Sequence, residues 1–435
     1  MMFRPLVSIL VTLGFSSITT AGEDWPRFLG PTGAAVVKDA KIPLTWSDSD
    51  HIAWKVETPG PGSSSPIIVN DRIFLTCWSG YGDKDGAEDM TQLKRHLVCL
   101  NLADGSKVWE AVIPSEVTED PYKGFITEHG YASSTPVSDG ERVYVFFGKS
   151  GALAFEMNGD VAWQTPLGTG SSPKQWGSAA SPILHGDHLI VNASDESRAI
   201  VALNKDSGEV VWKAEGGNLE LAYGTPALVE TDNGTEIVVG VPEELWGLNP
   251  ETGKLRWFAT HKLPGNISPS LIHADGIGYV FGGYPTSGSA AIKLGGKGDT
   301  TEKNLIWSTN TTSYIPTPIL HKGHLYVVND QGFAICMDAA TGDEVYRERV
   351  MEGGQRGRGK PFYASPILIG DRLYCVSRTN GTFVIAAKPE FEKLATNVIA
   401  LDESRFQGNP AVSGDKMILR SEKFVYCIAD DTAAE

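Results

Sequence analysis

Aromatic residues recur just ahead of a repeated Ser/Thr-Pro pair, at a spacing that could gather them around one opening. Tyr131 in "GYASSTP", Trp176 in "QWGSAASP", Tyr223 in "AYGTP", Tyr314 in "SYIPTP" and Tyr363 in "FYASP" each lead into a short apolar run. Two roles are open to them. Gathered at a channel mouth, they make a binding surface for a peptide, a glycan or a flat ligand, because Tyr and Trp favour interfaces. Packed between neighbouring repeats, they hold a scaffold together. The run "EGGQRGRGKPFY", 352–363, adds Arg356, Arg358 and Lys360 ahead of Tyr363. A guanidinium there could pair with an acidic group, or the loop is simply solvated.

Patterns that would announce other chemistry are missing. There is no HExxH, no GxSxG and no calcium-loop pattern, and "GKGDTTEK", 296–303, lacks P-loop spacing. His129, beside Glu128 in "TEHGY", reads as a polar surface histidine on a loop. The carboxylates show no spacing that singles out an acid–base pair. The cysteines are Cys77, Cys99, Cys336, Cys375 and Cys427. Their odd number, scattered positions and apolar surroundings read as buried small hydrophobes, and no metal site is expected. A Cys77–Cys99 bridge across one sheet is open.

The elements that must position these residues are strands. "SSPIIVNDRIFLTCW" near Ser64 has counterparts from Ser134, Ala180, Gly224, Ile267, Pro316, Ala364 and Gly408, giving eight units. In the last, Asn409 stands where the others have Ser or Thr. Turns such as "DGER", "GDH" and "KGH" supply the Gly and Asp that hairpins require, and the runs after them suit half- or fully buried strands. A third run follows, then a fourth ending in an aromatic at Trp109, Trp163, Trp212, Trp257, Trp307 and Tyr346, while the seventh unit, "PEFEKLATN", has lost it. One large flat side chain per unit, at fixed register, reads as packing between neighbours. The eighth unit ends at "KFVYCIAD" without a fourth strand, while "HIAWKVE", His51–Glu57, carries Trp54 and precedes the first unit. The expected fold is all-β: an eight-bladed propeller of four-stranded blades, closed by the N-terminal strand completing the last blade. Two long connections, 78–96 and 114–131, are where a rigid scaffold often carries function, though neither shows a ligand pattern.

The phrases "LNLADGSKVW", "LNKDSGEVVW", "LNPETGKLRW" and "MDAATGDEVY" resemble the tryptophan-docking motif of the eight-bladed quinoprotein-type propellers. Copies run from Cys99 to Trp109, Ala202 to Trp212, Gly247 to Trp257 and Cys336 to Tyr346, with a shortened one at 153–163. That superfamily includes the pyrroloquinoline quinone (PQQ) dehydrogenases, the outer-membrane barrel-assembly propeller lipoprotein and exported PQQ-like repeat proteins. "DWPRFLGPTG", Asp24 to Gly33, is similar to the start of the last group. The resemblance covers nearly the whole mature chain and implies the fold. The dehydrogenases hold PQQ and Ca²⁺ at the ring centre, with Glu, Asn and Asp oxygens and a disulfide of adjacent cysteines. No cysteines are adjacent here, and no calcium triad maps onto this chain residue by residue. No cofactor is therefore expected, with PQQ and calcium as the alternative.

The chain has 435 residues, 41% of them hydrophobic, and a net charge of −16. Such acidity argues against nucleic acid as a partner and favours solubility. Arg4, the apolar Leu6 to Phe15 and small residues near Ala21 read as a secretory leader over 1–21, too short to span a bilayer. An extension (22–50), one propeller domain (51–430) and a tail (431–435) follow. No cysteine follows the leader, so lipid attachment there is not expected. The expectation is an exported monomer, periplasmic or secreted: a non-catalytic scaffold that binds a protein, peptide or glycan through its channel face. A PQQ- and calcium-dependent oxidoreductase, acting on an alcohol or sugar, is the alternative, and a glycan-cleaving propeller the second.

Overall fold

The computed structural model describes residues 24–82, 88–284, 287–351 and 360–430. Each apolar run folds back on the one before it, because the turns between them hold residues in the left-handed region. Asn70 and Asp71 have φ of 51° and 60°, the geometry of a two-residue hairpin turn matched to strand twist. The first blade is thus a meander of Ile67–Val69, Arg72–Ser79, Lys94–Asn101 and Lys107–Pro114. Eight such sheets form the propeller. The only α-helices among the described residues are two four-residue turns, Ser194–Ser197 and Thr301–Asn304.

Closure is as the sequence implies. Ile52–Glu57 pairs antiparallel with Phe424–Ile428 as the fourth strand of the last blade. Each fourth strand carries a one-residue bulge, beside its aromatic in every blade but the seventh, where Ala395 takes that place; in the first blade, Cys99 pairs Trp109 but Leu100 pairs Lys107. A bulge there bends the outer strand.

The Ser/Thr-Pro repeat has a structural cause that the sequence pattern does not state. The amide of Ser65 donates to Thr135 Oγ1 at 2.9 Å, and that of Thr135 to Ser181 Oγ at 3.0 Å. The relay continues through Thr225, Ser270, Thr317 and Ser365 to Asn409 Oδ1. The Asn409 amide returns to Ser65 Oγ at 3.0 Å. Eight side chains and eight amides form a closed belt around the axis. It satisfies backbone donors on inner strands that have no further strand beside them. It also corrects one alignment. In the fifth unit the belt residue is Ser270, followed by Leu271, not the Ser268-Pro269 pair two residues earlier.

The recurrent aromatics lie between blades. The indole nitrogens of Trp54, Trp109, Trp163, Trp212 and Trp307 donate to Leu102, Met157, Lys205, Pro250 and Ala339 carbonyls in the next blade. Their rings lie on Gly105, Gly159, Gly208, Gly253 and Gly342, where a Cβ would come within 3 Å. Trp257 differs. The fifth blade has no such turn; "GGKGDTTEKN" replaces it, so Trp257 bonds within its own blade to the buried Glu236 carboxylate at 2.7 Å. Tyr346 meets Phe391 of the seventh blade edge-on.

All five cysteines are buried and free. Cys77 and Cys99 do sit on adjacent strands, but Cys77 pairs with His96 and Cys99 with Phe74. The three-residue offset points them to opposite faces and puts them beyond disulfide reach.

The extension is part of the ring. Trp25 exchanges backbone hydrogen bonds with Ile68, Pro26 accepts from Ser138, and Val36–Val37 pairs parallel with Ile367–Ile369. These are the free edges of inner strands in the first, second and seventh blades. Residues 24–37 therefore occupy the channel below the belt, with Trp25, Leu29 and Ala35 buried.

Candidate binding site

Above this plug the belt encloses a cavity of about 140 Å³. Phe28, at the tip of the plug, is its floor. The wall near the belt is lined by hydroxyls, among them Ser65, Thr135, Thr225, Ser270, Thr317 and Ser365. Farther out it is aromatic. Trp176, Tyr223, Tyr314 and Tyr363 come together there from four blades, as the mouth reading requires. Tyr131 does not join them. It is buried beside the cavity against Trp78, Tyr81 and Tyr122, with its hydroxyl on the Asp120 carbonyl at 2.7 Å. Arg356 and Arg358 lie outside the described residues. Lys360 sits 3.6 Å from the Tyr314 ring centre and pairs with Asp330 at 3.1 Å.

Sequence reasoning missed the roof. The long connection after the first blade forms a single 3₁₀ turn, Gly124–Glu128, that arches over the mouth. Phe125 hangs from it, 4.9 Å from Trp176 and 6.1 and 6.2 Å from Tyr314 and Tyr363, ring centre to ring centre. Glu128 clasps the far side, pairing with Arg378 and, at 3.5 Å, with Arg405. Arg405 also donates to the Thr127 carbonyl, and Arg378 stacks over Tyr363 at 4.4 Å. The only sequence signal was the length of the connection.

His129 is not the surface residue expected. It lines the cavity, Nε2 donating to the Trp176 carbonyl at 2.8 Å and Nδ1 accepting from Ser133 at 2.6 Å. Burial pushes its pKa down to about 4, so it is neutral at physiological pH. Burial likewise pushes Tyr363 up to about 12 and raises Tyr223 and Tyr314. Among the described residues the lining contains no Asp, Glu, Lys or Arg. Among the described residues, two of its buried atoms have no hydrogen-bond partner: Gln407 Oε1 and Asn409 Nδ2.

A separate cavity of about 30 Å³ shares Ser133 and Gly177 with this one. Arg95, Glu119, Asp120, Lys149, Asp195 and Glu196 line it, all buried. Among the described residues no cluster has a geometry that would hold a metal ion.

With fold and cavity in view, the likeness to known proteins is decisive for family. The family model for outer membrane protein assembly factor BamB matches residues 90–215 and 296–423, more than half of the chain. The chain belongs to that family of PQQ-like propellers. Among solved structures, BamB from Moraxella catarrhalis has a TM-score of 0.60 at 13% identity, covering 88% of this chain and 98% of that one. A europium-containing methanol dehydrogenase reaches 0.63 at 10% identity, covering 94% and 98%. The computationally designed Ika8 protein reaches 0.56 at 9%, covering 87% and 99%. At these identities the likeness is one of fold. No curated protein matches the chain in sequence. No helix among the described residues is long and apolar enough to cross a membrane.

Proposed function

We propose that this protein is an exported, non-catalytic propeller that binds a protein, peptide or glycan through the loop face of its channel. The observation that carries the reading is the cavity itself: floored by Phe28, roofed by Phe125, walled by aromatics and without a charged side chain among its described lining residues. Such a site supplies apolar area and directional hydrogen bonds, the features of a binding pocket. Family membership supports a scaffold role and export, in keeping with the leader read at 1–21, which lies outside the described residues.

The redox alternative is raised by the methanol dehydrogenase neighbour. A calcium-held quinone needs hard oxygen ligands, carboxylates above all, and cations for an anionic quinone. Among the described residues the lining offers hydroxyl and amide oxygens but no carboxylate and no cation, so these residues do not fit that group.

The test pairs two titrations of the mature protein. In the first, thermal melting of wild type and a Trp176→Ala, Tyr363→Ala double variant is followed against exported peptides and cell-wall oligosaccharides. A binder that raises the wild-type midpoint and leaves the variant unmoved supports the reading. In the second, PQQ is titrated with and without Ca²⁺, followed by dye reduction over alcohols and sugars. Saturable, calcium-dependent binding with dye reduction would overturn it.

A further inference from the structure

We propose that the cavity receives the end of an uncharged glycan, a single sugar ring lodged between the aromatic wall and the hydroxyl belt. This rests on the binding reading above and names its ligand class.

The belt accounts for one half of each hydroxyl. In Ser65, Thr135, Ser181, Thr225, Ser270, Thr317 and Ser365 the oxygen accepts a neighbour's amide. Among the described residues none of these hydroxyls donates its own hydrogen to the protein. All but Ser181 line the cavity. They form a ring of neutral donors held in place by the backbone.

Two further groups have their orientation decided by their surroundings. Asn409 lines the cavity; its Oδ1 is held by the Ser365 amide at 2.7 Å, which leaves the buried Nδ2 as a donor without a partner. Gln407 Nε2 donates to the Glu422 carboxylate at 3.3 Å, which leaves Oε1 as a free acceptor. These residues are 5% and 7% exposed. A buried amide group without a partner is costly, so the site is built for something that meets both.

The occupant therefore accepts many hydrogen bonds, donates at least one, meets no charged residue among the described lining and presents apolar faces. A sugar ring fits all four. Its C–H faces suit the π faces of Trp176, Tyr223 and Tyr363, and its hydroxyls suit the belt. The walls make a tub and not a slot: Trp176 is inclined 34° to Tyr223 and 40° to Phe125. A flat heteroaromatic group asks for parallel plates; a puckered ring does not. An apolar peptide side chain would leave Gln407 and Asn409 unpaired. A peptide terminus or an anion would bring a charge that no described lining residue answers, and Arg378 and Lys360 nearby pair with Glu128 and Asp330. The Phe28 floor blocks passage, so a chain end enters and an internal segment does not.

The test is a glycan array carrying neutral oligosaccharides with free non-reducing ends, followed by calorimetry with the best of them. Capped Gly-Trp-Gly and an oligogalacturonate serve as peptide and anionic probes. The variants are Gln407→Met, which keeps length and lies outside the belt, and Trp176→Ala. Saturable one-site binding of a neutral sugar is expected, weakened about tenfold or more by Gln407→Met, the consequence of leaving the sugar's donor without its acceptor. The melting midpoint of Gln407→Met, compared with wild type, separates a lost contact from a lost fold. Binding of the peptide alone would overturn the glycan and leave the scaffold reading standing. Binding of the oligogalacturonate alone would also overturn it, as would a blank array or a neutral sugar that binds Gln407→Met as tightly as wild type.

Discussion

Glu196 bonds to Ser178 through one carboxylate oxygen and has no partner for the other, in a buried cavity shared with Asp195, Arg95 and Lys149. Burial outweighs the Ser178 hydrogen bond and, with Asp195 beside it, pushes the pKa up to about 8. The native state thus holds a proton that the unfolded chain releases near pH 4.3. Below that value the contribution to stability is complete, and it is lost as pH rises towards 8. Replacing Glu196 with Gln removes the titration. The expected outcome is equal melting midpoints near pH 4 and a higher midpoint for Glu196→Gln at pH 8.5, read by calorimetry across that range. A variant that tracks wild type at every pH would show that Glu196 is ionised in the fold. His129 has the opposite sign: its stabilising effect is full above pH 6.5 and fades as pH falls towards 4.

Two segments turn an open channel into a chamber. The plug, 24–37, takes hydrogen bonds from inner-strand edges that no neighbouring strand can reach, which removes edges otherwise open to pairing. The roof, Gly124–Glu128, has one turn of 3₁₀ helix and is clasped by Glu128 to Arg378 and Arg405. It belongs to a loop held by this clasp and by Phe125 and Ile126 packing, so it should open locally without the ring unfolding. Glu128→Gln keeps shape and removes the charge. Hydrogen exchange of the amides at 124–128 should quicken about tenfold, in keeping with a loss of roughly 1–2 kcal/mol for a partly exposed ion pair, while the global midpoint moves little. Unchanged exchange at those amides would mean that Phe125 packing alone seats the roof.

At the scale of the molecule, each blade leans on the next and the chain's two ends meet in one sheet. Ile52–Glu57 supplies the outer strand of the last blade, and Trp54 reaches the first blade through the Leu102 carbonyl at 3.1 Å. Deleting residues 50–57 removes a strand and a blade contact together. It also separates the plug from its anchor. A broad, low-temperature melt is expected in place of one cooperative transition, because stability in repeat architectures is a sum of neighbour interfaces. An unchanged cooperative melt would show that the ring closes without this strand.

Much of this was legible because blades are local. Alternating apolar runs, Gly–Asp turns and one aromatic per unit reflect contacts made within a few tens of residues. They are enough to count eight units and assign "HIAWKVE" to the last. The gathering of Trp176, Tyr223, Tyr314 and Tyr363 followed from the ring itself, since equivalent positions in successive blades converge on one axis. Register in the fifth blade was not legible. A two-residue slip keeps every side chain on its own face, so the strand pattern tolerates Ser268 or Ser270 equally. Only the belt, which needs one acceptor at one height, selects Ser270. The chamber was illegible for a related reason. Phe28, Phe125, the Glu128–Arg378 clasp and the bond from Asn409 back to Ser65 join residues hundreds of positions apart or on irregular loops. Periodicity records which face a residue turns to the core; it holds no record of what meets it across a closed ring. By itself the sequence determined the blades, and the tertiary structure decided that they enclose a site.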